Sequence, residues 1–97
     1  MMNEKTLRAL VEAGAIKRVR IVADGARFHV EADTPTATVI AATGKGAPKT
    51  WGTLDASAKW VRALGIGTAQ LDVSRWRPEQ RALRIRFAHV GGIPAPL

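Results

Sequence analysis

The chain contains no cysteine, and its N-terminus has no long apolar run. The absence of cysteine excludes disulfides, thiolate metal sites and cysteine nucleophiles, so folding does not depend on redox conditions. The charged residues Glu4, Lys5 and Arg8 occupy the first turns, where a secretory signal or a membrane span would be apolar. We therefore expect a cytoplasmic protein that has no membrane partner.

Acidic residues are scarce, because eight Asp and Glu stand against fifteen Lys and Arg for a formal net charge of +7. The sequence pI near 11.2 lies in the range typical of a nucleic-acid-binding domain. A net charge of this size is explained equally well if it only keeps a small protein soluble. The distribution of the cations must therefore distinguish nucleic-acid binding from solubility. A length of 97 residues with 46% apolar residues predicts one domain with a single small core.

Residue types that carry catalysis are few and scattered. The carboxylates Asp24, Asp33 and Asp55 fall in a turn, a loop and the first turn of a helix, where each has a structural role. His29 is expected on the polar face of a strand opposite Arg20, a cation that disfavours both an imidazolium and a bound metal ion. We therefore predict no enzymatic activity, no metal site and no cofactor.

The segment of residues 44–49 is a glycine-rich, basic loop. It does not match the Walker phosphate-binding pattern, because Lys45 is followed by Gly46 where that pattern requires serine or threonine. Backbone N–H groups with Lys45 or Lys49 can hold a phosphate, and a plain connector explains the composition as well.

A β-hairpin is the clearest local pattern. Two alternating runs, residues 19–23 and 26–31, flank the pair Asp24-Gly25, which predicts a two-residue type I′ turn at that pair. The turn fixes the register and separates an apolar face from a basic one. The predicted opposite pairs are Ile21 with Phe28 and Val19 with Val30 on the apolar face, and Arg20 with His29 and Arg18 with Glu31 on the other.

Helical periodicity appears on both sides of this hairpin. Residues 3–13 predict a short amphipathic helix with Asn3 as its N-cap and Gly14 at its end. A second helix follows Thr53 and ends at Gly65. Its expected buried face consists of Leu54, Ala58, Val61 and Leu64.

Two further strands complete the predicted fold. Residues 38–43 are rich in β-forming types and add a third strand to an antiparallel meander, and residues 69–73 alternate as a short fourth strand. We predict an α+β domain with an N-terminal helix, a three-stranded antiparallel β-meander, a second helix packed on the sheet and a short fourth strand. Its compact part spans residues 1–74.

Residues 75–97 form a basic C-terminal extension. Leu83, Ile85 and Phe87 alternate with Arg84 and Arg86, a pattern that allows an added edge strand. Glycine and proline near the end predict flexible last residues.

Each of the three tryptophans lies beside cations in the sequence. This combination suits nucleic acid, because cations meet phosphates and rings stack on bases at ~1 to 3 kcal/mol per base. Trp51 and Trp60 are expected to pack on the core, whereas Trp76 is expected to be exposed. An ordinary solvated face remains an equal explanation for the hairpin arginines. The candidate nucleic-acid-binding residues are Arg18, Arg20, Arg27, Lys45, Lys49, Lys59, Arg62, Arg75, Trp76 and Arg77.

Residues 7–20, 23–30, 49–51 and 54–62 together resemble the ParC family of partition-associated proteins, which are encoded on plasmids and mobile elements. The resemblance spans about residues 3–83 and rests on structural motifs. It implies an accessory role in plasmid or mobile-element partition or maintenance, without enzymatic activity.

Two mechanisms fit that role. In the first, the protein binds nucleic acid mainly by charge, with DNA favoured over RNA as the partner. In the second, it is an interaction module that docks on a partition protein or forms a homodimer, through the first helix or a sheet edge. The basic charge favours the first mechanism, and the lack of a recognition helix favours the second.

Overall fold

Five strands and two helices make up residues 1–78, the part of the chain that the computed structural model describes. In chain order they are β1 (Met2–Asn3), α1 (Glu4–Glu12), β2 (Arg18–Gly25), β3 (Arg27–Asp33), β4 (Thr38–Ala42), α2 (Leu54–Ala63) and β5 (Gln70–Trp76). The strands form one mixed sheet in the order β1-β4-β3-β2-β5. The predicted α+β class and the antiparallel meander β2-β3-β4 are confirmed.

The predicted three-stranded antiparallel meander with a short fourth strand differs from the structure in detail, because the sheet has five strands and both edge strands are parallel to their neighbours. β1 was not predicted; it pairs with β4, with Met2 opposite Ala41. β5 pairs with β2, with Leu71 opposite Ile21, and it continues three residues beyond the predicted strand to Trp76. Parallel strands are joined by long crossover connections, so the sequence contains no short turn that would predict their pairing.

The β2–β3 hairpin forms as predicted, but its turn lies one residue later. Asp24 pairs with Arg27, so the two loop residues are Gly25 and Ala26. Gly25 has φ +64°, the left-handed value that the first loop position of a primed hairpin turn needs. The predicted register is therefore wrong by two residues, and an even shift keeps each side chain on its predicted face. The observed pairs are Val19 with Ala32, Ile21 with Val30, Ala23 with Phe28, Arg20 with Glu31, Val22 with His29 and Arg18 with Asp33.

The predicted helix caps are confirmed. The side chain of Asn3 accepts a hydrogen bond from the backbone N–H of Thr6 at 2.9 Å, and Thr53 caps α2 in the same way. Gly65, with φ +100°, and Ile66 close α2 through hydrogen bonds that their N–H groups donate to the last-turn carbonyls. This is a Schellman closure at the glycine where the sequence predicts the end of the helix.

Both helices pack on one face of the sheet, which we call the helix-side face. It carries Val19 and Ile21 of β2, and its core residues are Leu7, Val19, Ile21, Ala23, Phe28, Val30, Ala32, Ala41, Val61 and Leu64. The predicted buried stripe of α2 is partly wrong, because Ala58 is exposed and Leu54 is 39% exposed. Ser57 lies inward instead, since its hydroxyl is satisfied by donating to the carbonyl of Leu54 at 2.7 Å.

The opposite surface of the sheet, the polar face, carries Arg20 on β2 and Glu31 on β3. Ile40, whose side the sequence left open, is paired with Glu31 and lies on this face. No helix within residues 1–78 is long and apolar enough to cross a bilayer. The predicted edge strand around Ile85 and the predicted flexible end fall outside the described residues.

Candidate nucleic-acid interface

Two carboxylates hold Arg20 at the centre of the polar face. Its Nη1 and Nη2 donate to the two oxygens of Asp33 at 2.8 and 2.9 Å, and Nη2 also donates to Glu31 at 3.2 Å. The side chains are only 20–27% exposed, so water screens these contacts incompletely. The charge of Arg20 is therefore already compensated within the fold, which leaves little of it for a phosphate.

The pKa values of this network reflect the same contacts. The hydrogen bond from Arg20, followed by that from the Thr38 hydroxyl, lowers the pKa of Asp33 to about 2. The hydrogen bond with His29 and then that from Arg20 lower the pKa of Glu31. These carboxylates raise the pKa of Arg20 despite the opposing effect of burial. The polar face is thus an internally neutralised network over the first half of β2.

The environment of His29 differs from the predicted one. Its Nε2 lies 2.9 Å from a carboxylate oxygen of Glu31, and its strand partner is Val22 and not Arg20. Residues 1–78 hold no group of three or more potential metal ligands. A single carboxylate beside the imidazole orients it without forming a metal site.

A second group of cations gathers at the hairpin end of the sheet, and we call it the hairpin-end cluster: Arg27, Arg75, Trp76 and Arg77. Strand pairing builds it, because Asp24 faces Arg27 on one side and Arg75 on the other. The backbone N–H of Arg77 donates to the carbonyl of Gly25 at 2.7 Å, which fixes the chain just beyond β5 against the turn.

The cations of the hairpin-end cluster are only lightly compensated. Arg75 Nε lies 3.5 Å from Asp24, with both side chains more than half exposed, so this ion pair is weak. Arg27 donates from Nε and Nη2 to the hydroxyl of Thr50, a neutral partner that orients the guanidinium without cancelling its charge. Arg75 also lies near Asp72, because hydrogen bonds from Ser74 and then the charge of Arg75 lower the pKa of that carboxyl. Arg75 is thus partly compensated, whereas the charge of Arg27 is not cancelled by its hydroxyl partner.

Trp76 is the exposed aromatic residue that the sequence predicts. Its side chain is 45% exposed, and its ring centroid lies 6.5 Å from that of Phe28 at an interplanar angle of 49°. The contact with a core ring holds one part of the indole in place while the rest faces solvent. A held and half-exposed indole can serve as a stacking surface for a base.

An open depression on the polar face adjoins the cluster. It has a volume of about 320 Å³, and Arg27 and His29 lie at its wall together with Ile40, Pro48 and Thr50. The predicted basic loop supplies Pro48 and Thr50 directly follows it, so this part of the chain shapes the surface beside Arg27. The depression extends the cluster with a mostly apolar wall.

The other predicted site residues are dispersed. Arg18 begins β2, roughly 20 Å from the hairpin turn at the usual strand rise. Lys49 lies 5.5 Å over the ring of Trp51 on the side that bears Glu4, and Lys59 pairs with Asp55 at 3.2 Å. The remaining two are exposed: Lys45 in the loop and Arg62 on α2.

The two other tryptophans have the structural role that the sequence predicts. Trp51 and Trp60 are partly buried against the core, with ring centroids 5.1 Å apart. Trp60 also donates from its indole nitrogen to Glu4 at 3.1 Å, which links α2 to α1. They therefore stabilise the helix layer and are not available for stacking on a base.

Asp33 is the functional residue of this face that the sequence does not identify, because the pattern predicts a loop there. In the structure it ends β3 opposite Arg18 and accepts the shortest hydrogen bonds of Arg20. The signal was present in the alternation of Glu31 and Asp33, which places both carboxylates on one strand face.

Comparisons with known proteins do not indicate a function for this chain. A scan against protein-family models, a search of curated proteins and a search of solved structures each found no match to the chain.

Proposed function

We propose that this chain is a non-enzymatic accessory protein that binds nucleic acid, mainly by charge, at the hairpin-end cluster. The observation that carries the proposal is the half-exposed Trp76 between Arg75 and Arg77, with Arg27 at the same end of the sheet on its polar face. The preference for DNA and a role in partition or maintenance of a plasmid or mobile element rest on the sequence resemblance alone.

Binding at this surface follows from two physical contributions. Arg27, Arg75 and Arg77 neutralise backbone phosphates and release condensed counterions, which contributes affinity without base readout. Three such contacts predict a log–log salt slope of roughly −2 to −3. Stacking of an unpaired base on Trp76 would add a contribution that salt affects little.

The proposal is tested by fluorescence anisotropy of labelled single- and double-stranded DNA and RNA oligonucleotides at several salt concentrations. The variant Arg75→Gln/Arg77→Gln removes two cluster charges, and Lys17→Gln/Arg18→Gln removes two exposed charges at the far end of β2. We expect the first variant to reduce the salt slope by about 1.5 to 2 and the second to leave it almost unchanged.

Both variants remove two positive charges, so a difference between them reports where on the protein the nucleic acid binds. An equal loss in both variants would show that total charge, and not the cluster, drives binding. Absence of binding even at low salt would overturn the proposal. Trp76→Leu retains an apolar side chain, so a loss of single-strand affinity in that variant would report stacking itself.

One observation favours a second function, a protein-interaction module. The outer edge of β5 has no strand partner within residues 1–78, and Leu71 and Val73 are each about half exposed there. Open edges with apolar side chains accept an added strand from a partner. If this function were correct, oligonucleotide binding would be absent while substitutions at Leu71 abolished capture of a partition protein.

A further inference from the structure

Backbone hydrogen bonds fix the walls of the depression on the polar face. Phe28 and Trp51 exchange two of them at 2.9 Å. The N–H of Lys49 donates a third, also of 2.9 Å, to the carbonyl of Ala41. Residues 48–50 are thereby held against β3 and β4. The depression of about 320 Å³ is therefore preformed, as sites for small planar groups usually are.

The chemistry of these walls fits a neutral ring that is attached to a phosphate. Ile40 and Pro48 supply apolar surface, which suits the face of a ring. Asp24 also lies at the wall, and its carboxylate disfavours a phosphate inside the depression. Arg27 is exposed and donates from Nε and Nη2 to Thr50, while its Nη1 makes no hydrogen bond within residues 1–78. That nitrogen can meet a phosphate beside the ring.

The depression and Trp76 lie on opposite sides of the sheet at its hairpin end. The depression opens on the polar face. Trp76 faces Gly25 of β2, and its ring centroid lies 6.5 Å from that of the core residue Phe28, so the indole is on the helix-side face. A ligand that reaches both surfaces has to pass around the end of the sheet, where Arg75 is exposed.

We propose that the depression receives one unpaired base while a second base stacks on Trp76, so that the partner of the hairpin-end cluster is single-stranded nucleic acid. The inference rests on the proposed function and narrows its partner. A duplex keeps its bases paired and stacked, and it is too stiff to turn around one end of a small domain. A single strand exposes the faces of its bases and bends easily, and its phosphates can meet the arginines between the two surfaces.

Three ligands separate base contacts from phosphate contacts. Fluorescence anisotropy of the full-length chain measures binding to a labelled single strand, to the duplex of the same sequence and to an abasic single strand with the same number of phosphates. We expect the normal single strand to bind at least about tenfold more tightly than the abasic strand, because two base contacts are lost in the latter. It should also bind at least about fivefold more tightly than the duplex.

Two variants locate the base contact within the depression. Ile40→Ser removes part of its apolar wall, and Leu71→Ser makes the same kind of change at an exposed position of β5 outside it. We expect Ile40→Ser to lower single-strand affinity about fivefold and to leave abasic-strand affinity unchanged. Leu71→Ser should change neither affinity. Combining Ile40→Ser with Trp76→Leu should remove the preference for the normal strand over the abasic strand.

The outcomes distinguish this inference from the proposed function. Equal affinity for the normal and abasic strands, or tighter binding of the duplex, would overturn the inference and leave charge-driven binding at the cluster intact. A folded Ile40→Ser chain that binds the normal strand as tightly as the wild type would also overturn it. If circular dichroism shows that Ile40→Ser does not fold, the wild-type comparison of normal with abasic strands decides. Absence of binding to all three ligands would overturn the proposed function itself.

Discussion

Replacing Arg20 with methionine separates a structural role from a binding role for the polar face. The substitution keeps the length and apolar stem of the side chain but removes three charge-assisted hydrogen bonds to Asp33 and Glu31. Both carboxylates then lose their shared cation while they remain only 21–27% exposed. We expect Arg20→Met to destabilise the fold and to leave the salt dependence of nucleic-acid binding unchanged.

The magnitude follows from the partial burial of the network. Exposed ion pairs contribute about 0 to 1 kcal/mol, whereas removing one partner of a buried pair costs about 3 to 5 kcal/mol. A network at intermediate exposure should therefore lose about 1 to 3 kcal/mol on removal of Arg20. For a domain of this size, that corresponds to a fall in Tm of roughly 5 to 20 °C.

Thermal unfolding followed by circular dichroism measures this loss, and anisotropy titrations on the same samples measure binding. The matched control is Arg18→Met, which removes an equal charge from an exposed side chain and should change stability by no more than about 0.5 kcal/mol. If Arg20→Met left Tm unchanged and reduced the salt slope by about 1, Arg20 would be a phosphate contact and the compensation argument would fail.

Two further predictions concern pH and backbone conformation. Because Asp33 has a folded-state pKa of about 2 against an ordinary 3.8, its contribution to stability is complete above about pH 4 and is lost as the pH falls through about 2. Urea unfolding should show the stability difference between the wild type and Asp33→Asn shrinking over that window; a constant difference would contradict the assignment. Gly65→Ala should cost about 1 kcal/mol because φ is +100° while the nearest atom to an added Cβ lies at an ordinary 3.6 Å. The control Gly67→Ala meets no atom within 4 Å and should have little effect, so equal losses by denaturant unfolding would refute the strain argument.

The local parts of the fold could be predicted from sequence, and the long-range parts could not. Asn3, Thr53 and Gly65 mark helix ends through contacts within a few residues, so their patterns were sufficient. The hairpin register was missed because Asp24 stays in the β ladder opposite Arg27 instead of entering the loop. Asp24 also faces Arg75 in the parallel pairing of β2 with β5, which no local sequence pattern predicts.

The same distinction holds for the candidate site. Exposure of Trp76 was predictable from its flanking arginines and from Pro78, whereas the meeting of Arg27 with Arg75 required the pairing of β5 with β2. The inward position of Ser57 was also hidden, because a serine on a helix is ordinarily read as polar surface. Its hydroxyl is satisfied by its own helix, which makes it compatible with burial against the sheet.

The placement of acidic residues decides where the excess positive charge can act. Glu31 and Asp33 occupy the first half of the polar face and compensate Arg20, whereas at the hairpin end Asp24 pairs only weakly with Arg75 and Arg27 donates to a neutral hydroxyl. β-Sheet pairing thus brings three exposed and weakly compensated arginines, Arg27, Arg75 and Arg77, to one end of the sheet. An anionic polymer bound at this end would lie close to Trp76. The variant Arg75→Gln/Arg77→Gln should therefore reduce the salt-dependent part of the affinity, and Trp76→Leu should reduce the part that salt affects little.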